Sequence, residues 1–136
     1  CFVASAESRL VRGTGRRSEA ATGYFTQYGG QAVDCNPLGN LYKGQVRQLA
    51  RVLGVPEELV TRTPTAAMWE GQTDEEEMGL GYDELDAIPA LHVDGPLPKH
   101  ATVETLDISE EAVDRVVELY ETSAHKRAMP PAPDPV

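Results

Sequence analysis

Apolar residues recur along this chain in two helical stripes. In the first, Tyr42, Val46, Leu49, Ala50 and Leu53 fall at i, i+4, i+7, i+8 and i+11, on one face of a helix. Asn40 before the stripe is a candidate N-cap and Gly54 after it a candidate C′ glycine, so a helix is predicted from about Asn40 to Leu53. Pro56 then opens a short helical turn through Val60. In the second stripe Val113, Val116, Val117 and Tyr120 face one way, Ser109 caps, and Glu110 and Glu111 lie at the positive end of the helix. His125, Lys126 and Arg127 close it, where cations complement the dipole. Between the stripes, Tyr82 to Ile88 predicts a helix with Leu85 and Ile88 inward, ended by Pro89. Ala101 to Leu106 predicts another, after the break Gly95-Pro96-Leu97-Pro98.

The first third of the chain has weaker periodicity and more punctuation. Cys1 to Ser8 reads as a helix end or a connector. Leu10 and Val11 are consecutive apolar residues inside Arg9 to Arg12, which predicts a short strand covered on both faces. Gly13-Thr14-Gly15 follows as a turn, where glycine permits positive φ and close approach of a ligand. A helix is predicted from about Arg17 to Gln27, with Ala20, Gly23, Tyr24 and Gln27 at helical spacing and Gly29-Gly30 ending it. A strand, a tight glycine turn and a helix start together make an anion site, because unpaired amides and the helix dipole converge there. Thr61 to Gly81 reads mostly as loop, with capping-box spacing at Thr73-Asp74-Glu75-Glu76 starting a turn or two of helix. From Ala128 on, Pro130, Pro131, Pro133 and Pro135 predict an extended, mobile tail.

The chain of 136 residues suits one domain with one core. Its net charge is −10, from 22 acids and 12 bases, and this argues against a nucleic-acid partner, which needs clustered Lys and Arg. The acidity fits either an ordinary solvated surface or a source living in high salt, where screening relieves self-repulsion. Cys1 and Cys35 form no CxxC and no Cys/His cluster, which leaves no zinc site and predicts reduced thiols in a cytoplasmic protein. No apolar run approaches the roughly 20 residues of a membrane span. The chain starts on Cys1 rather than Met, and is read as the C-terminal part of something longer.

Each polar residue near these turns has an ordinary reading and a chemical one. Thr14 either bonds its own turn or offers a hydroxyl to a phosphate held by neighbouring amides. Glu19, in a first helical turn, either balances the dipole or faces the anion site as a ligand. Asp34, between Val33 and Cys35, is a turn-former before Asn36-Pro37 or a ligand contact. Lys43 opposes the dipole at its helix start, which hints at a bound anion, although a solvated lysine explains it equally well. Thr65 carries no intrinsic signal, and His125 and Lys126 read as cations at a helix end.

These residues sit in ordered motifs: GTGRRSE from Gly13, GYFTQYGG from Gly23, LYKGQVRQLARVLGVP from Leu41, PTA from Pro64, then WEGQTDEEEMG, YDELD and a terminal SAHKRAMPP. The series resembles the NAD synthetases, amide ligases that finish NAD synthesis, over nearly the whole chain. The resemblance implies an α/β fold of the Rossmann-like adenine nucleotide alpha-hydrolase (ATP pyrophosphatase) type, with residues 1–136 as the C-terminal part of a single domain. It implies ATP contacts from Thr14, Lys43 and Thr65, a magnesium ligand at Glu19, and deamido-NAD contacts from Gln27, Asp34, His125 and Lys126. It implies a homodimer that takes deamido-NAD, ATP and ammonia and passes through an acyl-adenylate to NAD, AMP and pyrophosphate.

Four departures qualify it. Arg16 stands where the family often has Asn, and Gln27 stands where the family has a Lys that meets deamido-NAD. Gly29-Gly30-Gln31-Ala32 replaces Gly-Asp-Gly-Gly. The family's pyrophosphate-gripping S-G-G-x-D-S loop is absent, so the chain alone is expected to be inactive. A different ATP pyrophosphatase and a non-catalytic copy that keeps only dimer contacts are the competing readings.

Overall fold

Leu85, Ile88, Val113 and Val116 have no solvent exposure, and the structure is organised around them. In this computed structural model residues 2–65, 69–73 and 77–133 are described. Their helices are α1 (Phe2–Ala6), α2 (Arg17–Thr22), α3 (Lys43–Val52), α4 (Glu57–Val60), α5 (Tyr82–Ile88), α6 (Lys99–Leu106) and α7 (Glu110–Thr122). A π-helical turn, Pro89–Val93, continues α5, and a 3-10 turn, Ala124–Arg127, follows α7. The core joins Met78, Tyr82, Leu85 and Ile88 to Ala112, Val113 and Val116 of α7, with Val103, Leu106 and Ile108 packed around it. Each large aliphatic side chain buried there contributes about 1.5–3 kcal/mol. Leu85, Ile88, Val113 and Val116 face inward as predicted, Val117 packs partly buried against them, Tyr120 lies under Arg127 outside the core cluster, and Ser109 Oγ accepts from the Ala112 amide at 3.2 Å as the cap of α7.

Several boundaries differ from those predicted, each for a local reason. α2 stops at Thr22, not Gln27, because Gly23 turns left-handed at φ 70° and its N–H closes onto the Glu19 carbonyl. α3 begins at Lys43 with Tyr42, not Asn40, at the N-cap, and the Tyr42 amide donates to Gln45 Oε1 at 2.9 Å. Gly54 does take the left-handed C′ position, at φ 73°. Pro89 does not end the helix. It has no N–H for the regular ladder, and the turn widens so that the Asp94 amide reaches the Pro89 carbonyl at 2.8 Å.

The strand predicted at Arg9 to Arg12 is reduced to one parallel bridge, Arg12 to Cys35, and Leu10 is 78% exposed rather than covered. The two segments do run side by side: the Asp34 amide donates to the Val11 carbonyl at 2.9 Å and the Gly13 amide to the Cys35 carbonyl at 2.8 Å. The described chain is thus mostly helical, with little strand. The Asp74 to Glu76 part of the predicted capping-box turn, Cys1 and the last three residues of the tail lie outside the described residues. Among the described residues no helix is long and apolar enough to cross a membrane.

Candidate functional site

The turn Gly13-Thr14-Gly15 folds against Asn36, and this packing, rather than backbone handedness, is what requires its glycines. Neither has positive φ. A Cβ on Gly13 would lie 2.9 Å from Val33 Cγ2, and one on Gly15 2.9 Å from Asn36 Nδ2. Beside the turn is a cleft of about 330 Å³ lined by Thr14, Gly15, Arg16, Glu19, Gly30 and Gln31, with Leu38 and Val46 as its apolar wall. α2 delivers Glu19 here from its first turn. Glu19 Oε2 accepts the Arg16 amide at 3.1 Å, and Oε1 is ion-paired with the Arg16 guanidinium.

Two further clefts share the Gln31 wall. One, of about 560 Å³, is lined by Phe25, Gln27, Tyr28, Lys126, Arg127 and Met129 among others. The other, of about 500 Å³, holds Asp34 with Arg9 and Val11. Asp34 Oδ2 accepts the Val11 amide at 2.7 Å, so this carboxylate also stitches the two extended segments together. Gln27 Nε2 donates to the His125 carbonyl at 3.1 Å. Lys126 donates to the carbonyls of Gly23 at 2.8 Å and Phe25 at 3.1 Å, and its ammonium lies 5.5 Å from the Phe25 ring centre. The structure thus brings Thr14, Glu19, Gln27, Asp34 and Lys126 around one loop, Gly30 to Val33. His125, exposed, touches this group through its backbone.

Lys43 and Thr65 are placed differently. The amides at the start of α3 are satisfied from within the chain: Ser18 Oγ accepts the Lys43 amide at 2.8 Å, and Asp86 Oδ2 accepts the Gly44 amide at 2.7 Å. Ser18 Oγ also donates to Asp86 Oδ1. Asp86 thus lies at the start of α3 and holds its first turn through the Gly44 amide and Ser18. The Lys43 ammonium lies 5.4 Å from the Tyr82 ring centre, and Tyr82 borders the same tight crevice as Ser18 and Glu19. Thr65 is exposed and lines none of these clefts, and the adjoining residues 66–68 lie outside the described ones.

A clamp fixes these parts. Asp94 accepts from Arg17 Nε at 2.7 Å and from the Tyr42 hydroxyl at 2.5 Å. The hydrogen bond from Arg17 holds the Asp94 carboxyl below its usual range. Burial, then the bond to Asp94, pushes the Tyr42 hydroxyl above its own. Arg127 donates to the carbonyls of Ala20 at 2.9 Å and of Tyr120, tying the chain's last turn to α2. Gln31, Ser18, Asp86 and Arg127 carry no site role in the sequence reading, because what they touch is distant along the chain.

Among the described residues no group of three or more His, Cys, Asp or Glu could cage a metal ion. Among the described residues Glu19 is the one carboxylate lining the Thr14 cleft. One carboxylate with phosphate oxygens and water is how magnesium commonly sits in nucleotide sites, so the residues fit an ion carried in by a polyphosphate.

Comparison with known proteins adds the following. The family model described as NAD synthase matches residues 2–130. The chain is 62% identical over 132 residues to the NH(3)-dependent NAD(+) synthetase of Halobacterium salinarum, covering 97% of this chain and 49% of that protein. It is 50% identical over 127 residues to the NH(3)-dependent NAD(+) synthetase of Thermococcus kodakarensis, covering 93% of this chain and 50% of that protein. The solved structure of NMN synthetase from Francisella tularensis matches with a TM-score of 0.78 at 35% identity, covering 98% of this chain and 50% of that one. The chain spans about half the length of the curated relatives it matches.

Proposed function

The chain belongs to the NAD synthase family, and from that premise we propose that the complete protein carrying it is an ammonia-dependent NAD(+) synthase. The nicotinate carboxylate of deamido-NAD attacks the α-phosphorus of ATP, and pyrophosphate leaves. Ammonia then attacks the acyl carbon of the adenylate, a proton is lost, and AMP leaves with NAD as the product. Residues 1–136 are the C-terminal part of one Rossmann-like, ATP-pyrophosphatase-type domain. The side-by-side segments at Val11 to Gly13 and Asp34 to Asn36 would be the end of its parallel sheet. An upstream half supplies the S-G-G-x-D-S loop, and two copies form the homodimer. The protein would work in the cytoplasm, where exposed Cys35 stays a free thiol.

The observation that carries this reading is the shared Gln31 wall, which sets a polyphosphate-sized cleft beside an aromatic and cationic one. Thr14 and the turn amides bind phosphate, Glu19 would hold magnesium, and that ion would offset phosphate charge as the α-phosphorus is attacked. Lys43, by swinging from the Tyr82 ring, and Thr65, which lines none of the clefts in this structure, take the remaining ATP contacts that the family resemblance assigns them. Gln27, Asp34, His125 and Lys126 orient deamido-NAD. The protein's contribution is mainly to hold two anionic substrates in line for attack.

A second reading follows from the likeness to an NMN synthetase: the acid amidated is the mononucleotide. Gln27 and the Gly29 to Ala32 loop, where the chain departs from the family on the substrate side, support it. Both readings meet one assay. The complete protein is given ATP, magnesium and ammonia with either the dinucleotide or the mononucleotide acid, and amide is read by chromatography. Faster turnover of the dinucleotide is expected. Preference for the mononucleotide selects the second reading, and no ATP-dependent amide from either acid overturns both.

A further inference from the structure

Arg16 has a position and bonding that the proposed function leaves unused. Its amide and its guanidinium hold the two oxygens of Glu19 separately, at Oε2 and Oε1. The amide is fixed by the backbone at the start of α2, whereas the guanidinium is on a long side chain and can turn away. Both side chains are about four-fifths covered, at 17% and 21% exposed, and both line the Thr14 cleft. Arg16 Nε is buried and makes no hydrogen bond among the described residues. A buried donor without an acceptor is costly, so this pose leaves the guanidinium short of its bonding capacity. A polyphosphate in the cleft would offer it oxygens in the planar, paired arrangement that suits Arg. A divalent cation on Glu19 would repel the guanidinium from the same carboxylate.

We propose that Arg16 is an exchangeable counter-ion: it pairs with Glu19 in the metal-free protein and moves to the phosphates of the nucleotide when a divalent cation takes Glu19. The exchange makes metal and polyphosphate bind in concert, since each leaves the other its partner. This rests on the metal and phosphate assignments above, and it makes Arg16 a positioning residue for them.

The experiment titrates Mn2+ into the complete protein by electron paramagnetic resonance, and pyrophosphate by calorimetry, for wild type, Arg16→Gln, Arg16→Lys and Glu19→Gln. Freed of its counter-ion, Glu19 in Arg16→Gln should bind Mn2+ about fivefold more tightly than wild type, the worth of a partly exposed ion pair. The same variant should bind pyrophosphate about fivefold more weakly. Arg16→Lys, which keeps the charge and loses the planar fork, should leave Mn2+ binding unchanged and weaken pyrophosphate. Unchanged or weaker Mn2+ binding by folded Arg16→Gln overturns the exchange, and so does unchanged pyrophosphate binding by Arg16→Lys if the first variant does not fold. Glu19→Gln separates the two levels. If it binds Mn2+ as wild type does, the metal assignment itself fails, and the exchange fails with it. If it binds Mn2+ weakly while Arg16→Gln gains nothing, only the exchange is wrong.

Discussion

Gly23 and Gly54 have nearly the same backbone, at φ 70° and 73°, in very different surroundings. A Cβ on Gly54 meets nothing within 4 Å, while one on Gly23 would lie 2.2 Å from Ser123 Cβ. Alanine at Gly54 bears only the left-handed penalty, about 1 kcal/mol. Alanine at Gly23 adds an overpacking cost of about 1–3 kcal/mol, because buried Ser123 cannot retreat. Urea unfolding of the complete protein carrying each variant should rank Gly23→Ala well below Gly54→Ala, and equal losses would remove Ser123 from the account. Gly54 was legible in the sequence because a helix stripe ends just before it. Gly23 was not, since the residue that makes it obligatory lies a hundred positions away.

Among the elements, α5 and α7 were legible because a period of 3.6 is written locally in Leu85, Ile88, Val113 and Val116. The strand read at Arg9 to Arg12 is only a single bridge, because pairing is non-local and Leu10 is left open here. The stripe on α3 is helix, as read, but it buries nothing fully: α3 has no buried residue, and Leu53 at its C-cap is 70% exposed. What holds α3 in place is polar. Asp86→Ala strips the acceptor from the Gly44 amide and from Ser18, and should cost about 1 kcal/mol, read as a lower urea midpoint. At the same end of α3 the Asp94 clamp makes a pH prediction. Its carboxyl titrates lower folded than unfolded, so the stability it adds is present above the unfolded value near ~3.9 and is lost as pH falls through the folded one. Tyr42 is raised, so its share is full below pH ~10 and fades as pH rises beyond that. Against Asp94→Asn, the wild-type advantage in urea midpoint should be flat near neutral pH and vanish at strongly acid pH. An advantage that persists in acid would mean that Asp94 acts by shape alone.

For the whole molecule, a net charge of −10 predicts that salt stabilises. Screening shortens the Debye length to ~3 Å at 1 M, so the melting temperature should rise from low salt to molar KCl, and a flat response would mark an ordinary acidic surface. On the proposed function, residues 1–136 alone should make no NAD, since no S-G-G-x-D-S loop occurs in their sequence to grip the pyrophosphate. Activity should appear when an upstream half is supplied, and steady turnover without it would put a complete ATP site here. The site's fold was legible as motif order, but its assembly was not, because it depends on contacts that cross the chain. Lys126 and Arg127 grip Gly23, Phe25 and Ala20 across 101 to 107 residues. Synthesis runs from the N-terminus, so the Gly23 to Gln27 loop emerges from the ribosome long before its latch exists. A nascent chain stalled anywhere ahead of Lys126 carries an unfastened Gly23 to Gln27 loop, exposed to proteases for as long as the stall lasts.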